Sequence, residues 1–160
     1  VIYATARNGV TVAAFCLLGR TFMRPVDCPF QAAERVLAEI GDRAKVILLD
    51  MHAEATGDKY QMAHFLKGRV SAVLGTHTHV PTADEQLLGT TAFISDVGMT
   101  GPYESILGRR IERVLSHALD FVPTPFDVAT GDVRLGGAIV EIEPTTGHAK
   151  SIRRVSVPAT

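Results

Sequence analysis

Three short runs constrain what this 160-residue chain can fold into: Lys45-Val46-Ile47-Leu48-Leu49, Arg69-Val70-Ser71-Ala72-Val73-Leu74 and Thr90-Thr91-Ala92-Phe93-Ile94-Ser95. They are rich in aliphatic and β-branched residues, as strands packed on a core are. Each stops at polar residues, in Asp50-Met51-His52, in Gly75-Thr76-His77-Thr78-His79 and in Asp96-Val97-Gly98. Segments of helical periodicity precede the first two. Residues 30–40 repeat their apolar positions every three to four residues, with 27–29 as an opening and Gly41 as a stop. Thr56 or Asp58 caps a second helix that runs through Leu66 and ends at Gly68. Strands alternating with helices pack in layers, so the expected fold class is α/β, with sites on loops at the strand ends.

The rest of the chain is read in the same way. Residues 1–7 form a strand, Asn8-Gly9 a two-residue turn that needs positive φ, and residues 10–18 the returning strand, which makes Asn8 a turn residue and not a ligand. A strand already under way at Val1, with no initiator Met, gives the expectation that the chain begins inside a fold. Residues 96–102 are a glycine-punctuated loop and 110–119 a helix, while 133–143 and 148–157 pair as a hairpin around Pro144-Thr145-Thr146-Gly147. One domain over residues 1–160 is expected, because the length suffices for one well-buried core and not for two.

Sixteen basic against 17 acidic side chains leave no signature of nucleic-acid or membrane-surface binding, and a small nucleotide remains admissible as substrate. No apolar run approaches the roughly 18 residues of a membrane span, and no signal peptide is visible. Cys16 and Cys28 form no Cys-x-x-Cys pair and read as free thiols of a reducing compartment, with a single disulfide as the alternative. The expected location is the cytoplasm.

Chemistry concentrates at the strand ends. Alternate side chains of an extended segment face the same way, so His77 and His79 are expected on one side, about 7 Å apart at their α-carbons. Both rings then reach one ion, or each serves a different ion of a pair about 3.5–4 Å apart. His52, placed alike after its own strand, makes the group read as a metal centre. Histidines that cap strands with ordinary hydrogen bonds are the plain alternative. His64 and His117, on helices, and His148, at a turn, are expected to be structural or solvated. Asp50 has a supporting role, and Glu54 either orients a ligand or substrate hydroxyl or is a solvated loop carboxylate. Asp96 supports a histidine N–H or caps a turn, and Thr76 and Thr78 touch a phosphate or close strand ends by hydrogen bonding.

Leu49-Asp50-Met51-His52-Ala53-Glu54-Ala55-Thr56, Gly75-Thr76-His77-Thr78-His79-Val80-Pro81-Thr82-Ala83-Asp84 and Ser95-Asp96-Val97-Gly98-Met99-Thr100-Gly101-Pro102-Tyr103 together resemble one family. It is the YmdB-like family of 2′,3′-cyclic nucleotide phosphodiesterases, a bacterial branch of the calcineurin-like metallophosphoesterases. Gly75, His77 and His79 match the superfamily's Gly-His-x-His signature with Thr76 inserted. The resemblance implies part of a four-layer α-β-β-α sandwich that holds two divalent or trivalent metal ions, iron or manganese, at strand ends. It places His52 and His77 on one ion and His79 on the other. It also implies that the remaining ligands come from an amino-terminal half: an Asp, a bridging Glu beside an Asn, and an Asn in a Gly-Asn-His segment whose His donates a proton. The only Asn here is Asn8, so the chain corresponds to a carboxy-terminal portion, with the proton donor outside it. Taking Asp50-x-His52 for the superfamily's opening Asp-x-His motif would require Gly-Asp-x-x-Asp and Gly-Asn-His downstream, and neither occurs.

The implied reaction is metal-dependent. Two ions lower the pKa of a shared water and clamp the phosphoryl oxygens, and the resulting hydroxide opens the cyclic diester of a small nucleotide. A homo-oligomer is a family-level expectation. The other class of function is a non-catalytic structural or interaction half, because coordination positions left open weaken metal binding. On either reading, residues 1–160 alone are expected to be inactive and to expose a sheet edge.

Overall fold

Strands that are apolar on both faces need cover on both faces, and the computed structural model, which describes residues 1–159, provides it. In chain order the elements are β1 (Ile2–Thr5), β2 (Thr11–Leu18), α1 (Pro29–Ile40), β3 (Val46–His52), α2 (Thr56–Phe65), β4 (Ala72–Thr76), β5 (Gln86–Leu88), β6 (Thr91–Ile94), β7 (Gly101–Glu104), α3 (Ile111–Asp120), β8 (Gly131–Ile142) and β9 (Ala149–Pro158). The first six strands make one sheet in the order β1-β2-β3-β4-β6-β5. Its middle, β2-β3-β4-β6, is parallel, and the two outer strands run antiparallel to their neighbours.

Side chains of a strand alternate between its faces, and here each face has its own cover. Leu49, Met51, Val73 and Phe93 lie in one core with Ala33 and Ile40 of α1 and Met62 and Ala63 of α2. The intervening Leu48, Ala72, Leu74 and Ala92 pack instead on Val140, Ala149 and Ile152 of a second sheet, the antiparallel β7-β8-β9. The molecule is therefore mixed α/β, with helices, a mixed sheet and an antiparallel sheet in succession. Helix α3 has no buried residue, and its Ile111, Leu115 and Leu119 are exposed.

Several local expectations change. The first hairpin closes through a longer turn than Asn8-Gly9 alone. Gly9 N–H donates to the Ala6 carbonyl, Ala6 N–H donates to that of Val10, and only Gly9 takes positive φ, at 84°. A type I turn followed by a left-handed glycine fits that pattern. Neither Thr56 nor Asp58 caps α2, whose N-cap is Ala55 without a side-chain bond. Asp58 instead accepts the backbone N–H groups of Arg20 and Thr21 and the Thr21 hydroxyl, tying down the loop after β2. Burial pushes its carboxyl up, but these bonds outweigh burial and hold it below the usual carboxylate range. Strands β5 and β7 were not expected, being only three and four residues long. Both cysteines are free, and burial with Asp50 alongside pushes the Cys16 thiol up to about 11. No helix among the described residues is long and apolar enough to cross a membrane.

The carboxyl ends of β4 and β6 meet so closely that position 75 tolerates no side chain. Val97 N–H donates to the Gly75 carbonyl, and a Cβ built on Gly75 would collide with the carbonyl of Ser95. Gly75→Ala should therefore cost about 1–3 kcal/mol as an overpacking substitution. Thermal denaturation should show a Tm several degrees lower, and an unchanged Tm would mean that these strand ends separate freely.

Candidate metal centre

Register builds the site. Parallel pairing sets Leu18, His52 and Thr76 side by side across β2, β3 and β4, with Cys16, Asp50 and Leu74 one pleat behind on the same face. The Thr76 hydroxyl donates to Asp50 Oδ1 at 2.6 Å and accepts from His52 Nδ1 at 2.9 Å. An ionised carboxylate only accepts, so the threonine proton points at Asp50 and His52 must carry its proton on Nδ1. Its Nε2 is left with a lone pair.

The next residue repeats this logic in mirror fashion. His77 Nε2 lies 2.9 Å from Glu54 Oε2, which places the ring proton on Nε2 and the lone pair on Nδ1. That Nδ1 approaches His52 Nε2 to 3.1 Å, with the rings at 87° and their centroids 4.8 Å apart. Both outer nitrogens are occupied as donors, so two neutral rings have no proton to place between the inner ones. A positive charge resolves the conflict, either a third ring proton, with His77 charged beside Glu54, or a metal ion held by both lone pairs. Ligand nitrogens bound to one ion at about 2.0–2.1 Å and set at right angles lie about 3 Å apart, which fits the observed spacing. Carboxylate and hydroxyl partners behind the rings are the usual means of fixing a ligand's tautomer. His77 and Glu54 are 34% and 49% exposed, so the site is open to solvent.

His79 does not join them. Strand β4 ends at Thr76, and His77 and His79 take positive φ of 106° and 67°, so the extended geometry expected for His-x-His is absent. His79 is exposed, with Nδ1 3.2 Å from the Leu107 carbonyl oxygen. Among the described residues no three His, Cys, Asp or Glu side chains converge as a ligand set. Two of the three expected imidazoles are brought together, and the third is held elsewhere. His64 and His148 are exposed, and His117 Nδ1 lies 2.8 Å from the Val122 carbonyl oxygen, all away from the pair.

The turn that carries these histidines rests on a buried ion pair. Lys59 Nζ meets Asp96 Oδ2 at 2.9 Å, with the side chains only 2% and 1% exposed. The same oxygen accepts Thr78 N–H at 2.9 Å and the Thr78 hydroxyl at 2.8 Å, and Oδ1 accepts Gly98 N–H. Asp96 thus supports the backbone between the histidines and no histidine N–H. Thr78 has committed its proton to Asp96. Lys59 was missed because a lysine on a helix ordinarily reaches solvent. Farther along, Asp84 accepts from Tyr60, Thr82 and Ser95. Burial pushes the Asp84 carboxyl up, and its bonds from Ser95 and Thr82 bring it below the usual range.

Comparison with known proteins gives the family and the fold. The family described as YmdB-like protein matches residues 1–155. A 2′,3′-cyclic-nucleotide 2′-phosphodiesterase of Bacillus subtilis is 44% identical over 151 residues, covering 94% of this chain and 57% of that protein. A putative phosphatase/phosphodiesterase of Mycoplasma genitalium is 27% identical over 159 residues, covering 97% of this chain and 56% of that protein. A hypothetical protein from Thermus thermophilus has a solved structure similar to this one, with a TM-score of 0.90 and 39% identity over 99% of this chain and 62% of that chain. A novel phosphatase from Mycoplasma pneumoniae gives a TM-score of 0.86 and 25% identity over 98% and 56%. The chain spans little more than half the length of these relatives.

Asp96→Asn removes the charge facing Lys59 and leaves a buried cation unpaired, a change that costs about 3–5 kcal/mol. Thermal denaturation should show that loss, and Lys59→Met combined with Asp96→Asn should recover part of it. Equal stability of the Asp96→Asn protein and the parent would mean that the pair does not support the turn.

Proposed function

The chain belongs to the YmdB-like protein family, and from that premise we propose that the protein containing it is a metal-dependent phosphodiesterase that opens 2′,3′-cyclic nucleotides. The observation that carries the proposal is the 3.1 Å approach of His52 Nε2 and His77 Nδ1, with Thr76 and Glu54 occupying the outer nitrogens. The name of the Bacillus subtilis relative supports the substrate class. Bound ions would supply a lowered water pKa and an offset for the charge that develops on the phosphoryl oxygens.

In this reading His52 and His77 hold one ion, Asp50 acts on His52 through Thr76, and Glu54 orients His77. His79 serves the second ion. The remaining ligands and the proton donor lie outside residues 1–160, and the complete fold is a four-layer α-β-β-α sandwich. Imidazole combined with oxygen donors suits iron or manganese better than calcium. A cytoplasmic location, a small-molecule nucleotide as substrate and a homo-oligomeric assembly belong to the same reading. The competing reading, a non-catalytic structural half, draws on the lack of a three-ligand cluster among the described residues.

Full-length protein stripped with chelator should lose hydrolysis of 2′,3′-cyclic AMP and regain it on reloading with manganese or iron. Alanine at His52 or His77 should lower metal content and abolish turnover, whereas alanine at His64 or His148 should change neither. Equal turnover with and without metal would overturn the metal-dependent mechanism. No turnover in protein verified to hold metal would favour the structural reading.

A further inference from the structure

The loop after β2, residues 19–26, does no visible packing work with its largest side chain. Phe22 is 88% exposed and sits at a φ of 61°, a left-handed conformation that an aromatic residue adopts at a cost. The loop itself is held firmly. Gly19 N–H donates to the His52 carbonyl, Arg20 and Thr21 are tied to Asp58, and Met23 packs on the main core while its Sδ accepts Glu54 N–H at 3.4 Å. A strained, exposed aromatic on an anchored loop is arranged for something other than folding.

What it faces follows from register. Leu18 ends β2 beside His52, so the loop rises next to the histidine pair at the carboxyl edge of the parallel strands, where open α/β sheets bind ligands. There a cavity of about 410 Å³ is walled by Leu18, Phe22, Met23, Arg24, Val26 and the pair His52 and His77. Its size is that of a small-molecule site. The wall is apolar and aromatic apart from one guanidinium and the two imidazoles.

We propose that this cavity is the nucleobase subsite, with Phe22 as the stacking platform for the base of a nucleoside 2′,3′-cyclic phosphate whose phosphate lies at His52 and His77. The inference rests on the function proposed above. The base of such a nucleotide is one ribose away from its phosphate, so a phosphate at the histidines directs the base into the space they border. Every base offers a π-face, so an aromatic ring with a thioether beside it binds bases with little regard to sequence. Arg24 adds positive charge to the wall for the anionic substrate. The site therefore distinguishes nucleotides from phosphate esters that lack a base, and purines from pyrimidines only weakly.

The test compares 2′,3′-cyclic AMP with methyl riboside 2′,3′-cyclic phosphate, which keeps the ester and the ribose and lacks the base. In metal-loaded full-length protein, Phe22→Ala should lower the ratio of kcat/KM for the two substrates at least tenfold, mainly through KM for the nucleotide. Phe22→Trp should restore the ratio, which a loss of folding alone would not allow. An unchanged ratio in Phe22→Ala overturns the subsite. Saturation-transfer NMR on metal-free protein provides a readout independent of turnover, in which adenine protons of 3′-AMP should receive saturation in the parent protein and lose it in Phe22→Ala. Absence of turnover of both substrates in the parent would defeat the proposed function, and the NMR result would then decide the subsite by itself.

Discussion

The parallel register of β2, β3 and β4 is the constraint on which the rest depends. Pairing of Leu18 with His52, and of His52 with Thr76, sets three strand ends level, so each following loop starts from the same edge. A slip of one residue would turn His52 and Thr76 to the helical face and break the Asp50–Thr76–His52 chain. Alternation also sorts the two faces. Odd-numbered residues of β3 and β4, Leu49, Met51 and Val73, bury against α1 and α2, which leaves the even-numbered Asp50, His52 and Thr76 on the face of the second sheet. The polar residues extend an otherwise apolar face at its open end. Burial thus stabilises the register, and the register aligns the imidazoles.

Alignment alone would not hold His77, because it lies beyond the strand. Positive φ at His77 and His79 is uncommon for non-glycine residues and must be compensated by the surroundings. The compensation comes from Asp96, which accepts both polar hydrogens of Thr78 between the two strained residues while it neutralises Lys59. A buried pair of this kind adds little net stability over an apolar replacement, but removing one partner is expensive. Its location under the turn indicates that it enforces a conformation. Gly75 completes the arrangement by letting the backbone after β6 cross close enough for Asp96 to reach Thr78.

Much of this is legible in the sequence, and the omissions have physical causes. Residues 45–49, 70–74 and 90–95 announced β3, β4 and β6, because strands buried on both faces read as apolar runs. Their ends drifted, since His52 and Thr76 continue the ladder although their side chains are polar. β5 and β7 escaped because three or four residues carry no readable period. The His-x-His spacing implied an extended geometry that the loop does not have. Spacing predicts a shared side only while the backbone stays extended, and nothing local announces that it stops doing so at Thr76. Lys59 and Phe22 were silent for a similar reason. A charged residue on a helix and an aromatic in a loop acquire meaning only from neighbours 37 and 30 residues away, Asp96 and His52.

The proton count gives the site its direction. Glu54 and the Asp50–Thr76 pair each hold an N–H on the far side of a ring, so in the neutral rings the two remaining lone pairs face each other at 3.1 Å. A structure that only needed the histidines for packing would gain from the other tautomer of either ring, which would place one N–H against the other lone pair as an ordinary hydrogen bond. Both outer partners disfavour that tautomer, one through a carboxylate and the other through a hydroxyl that a carboxylate orients. Such an arrangement is costly by itself and favourable around a positive charge, the preorganisation expected of groups that bind a cation. With only two imidazoles at this point, a single ion would retain open positions for ligands from outside the chain or for oxygens of a phosphate, and the cavity beside Phe22 opens from the same pair.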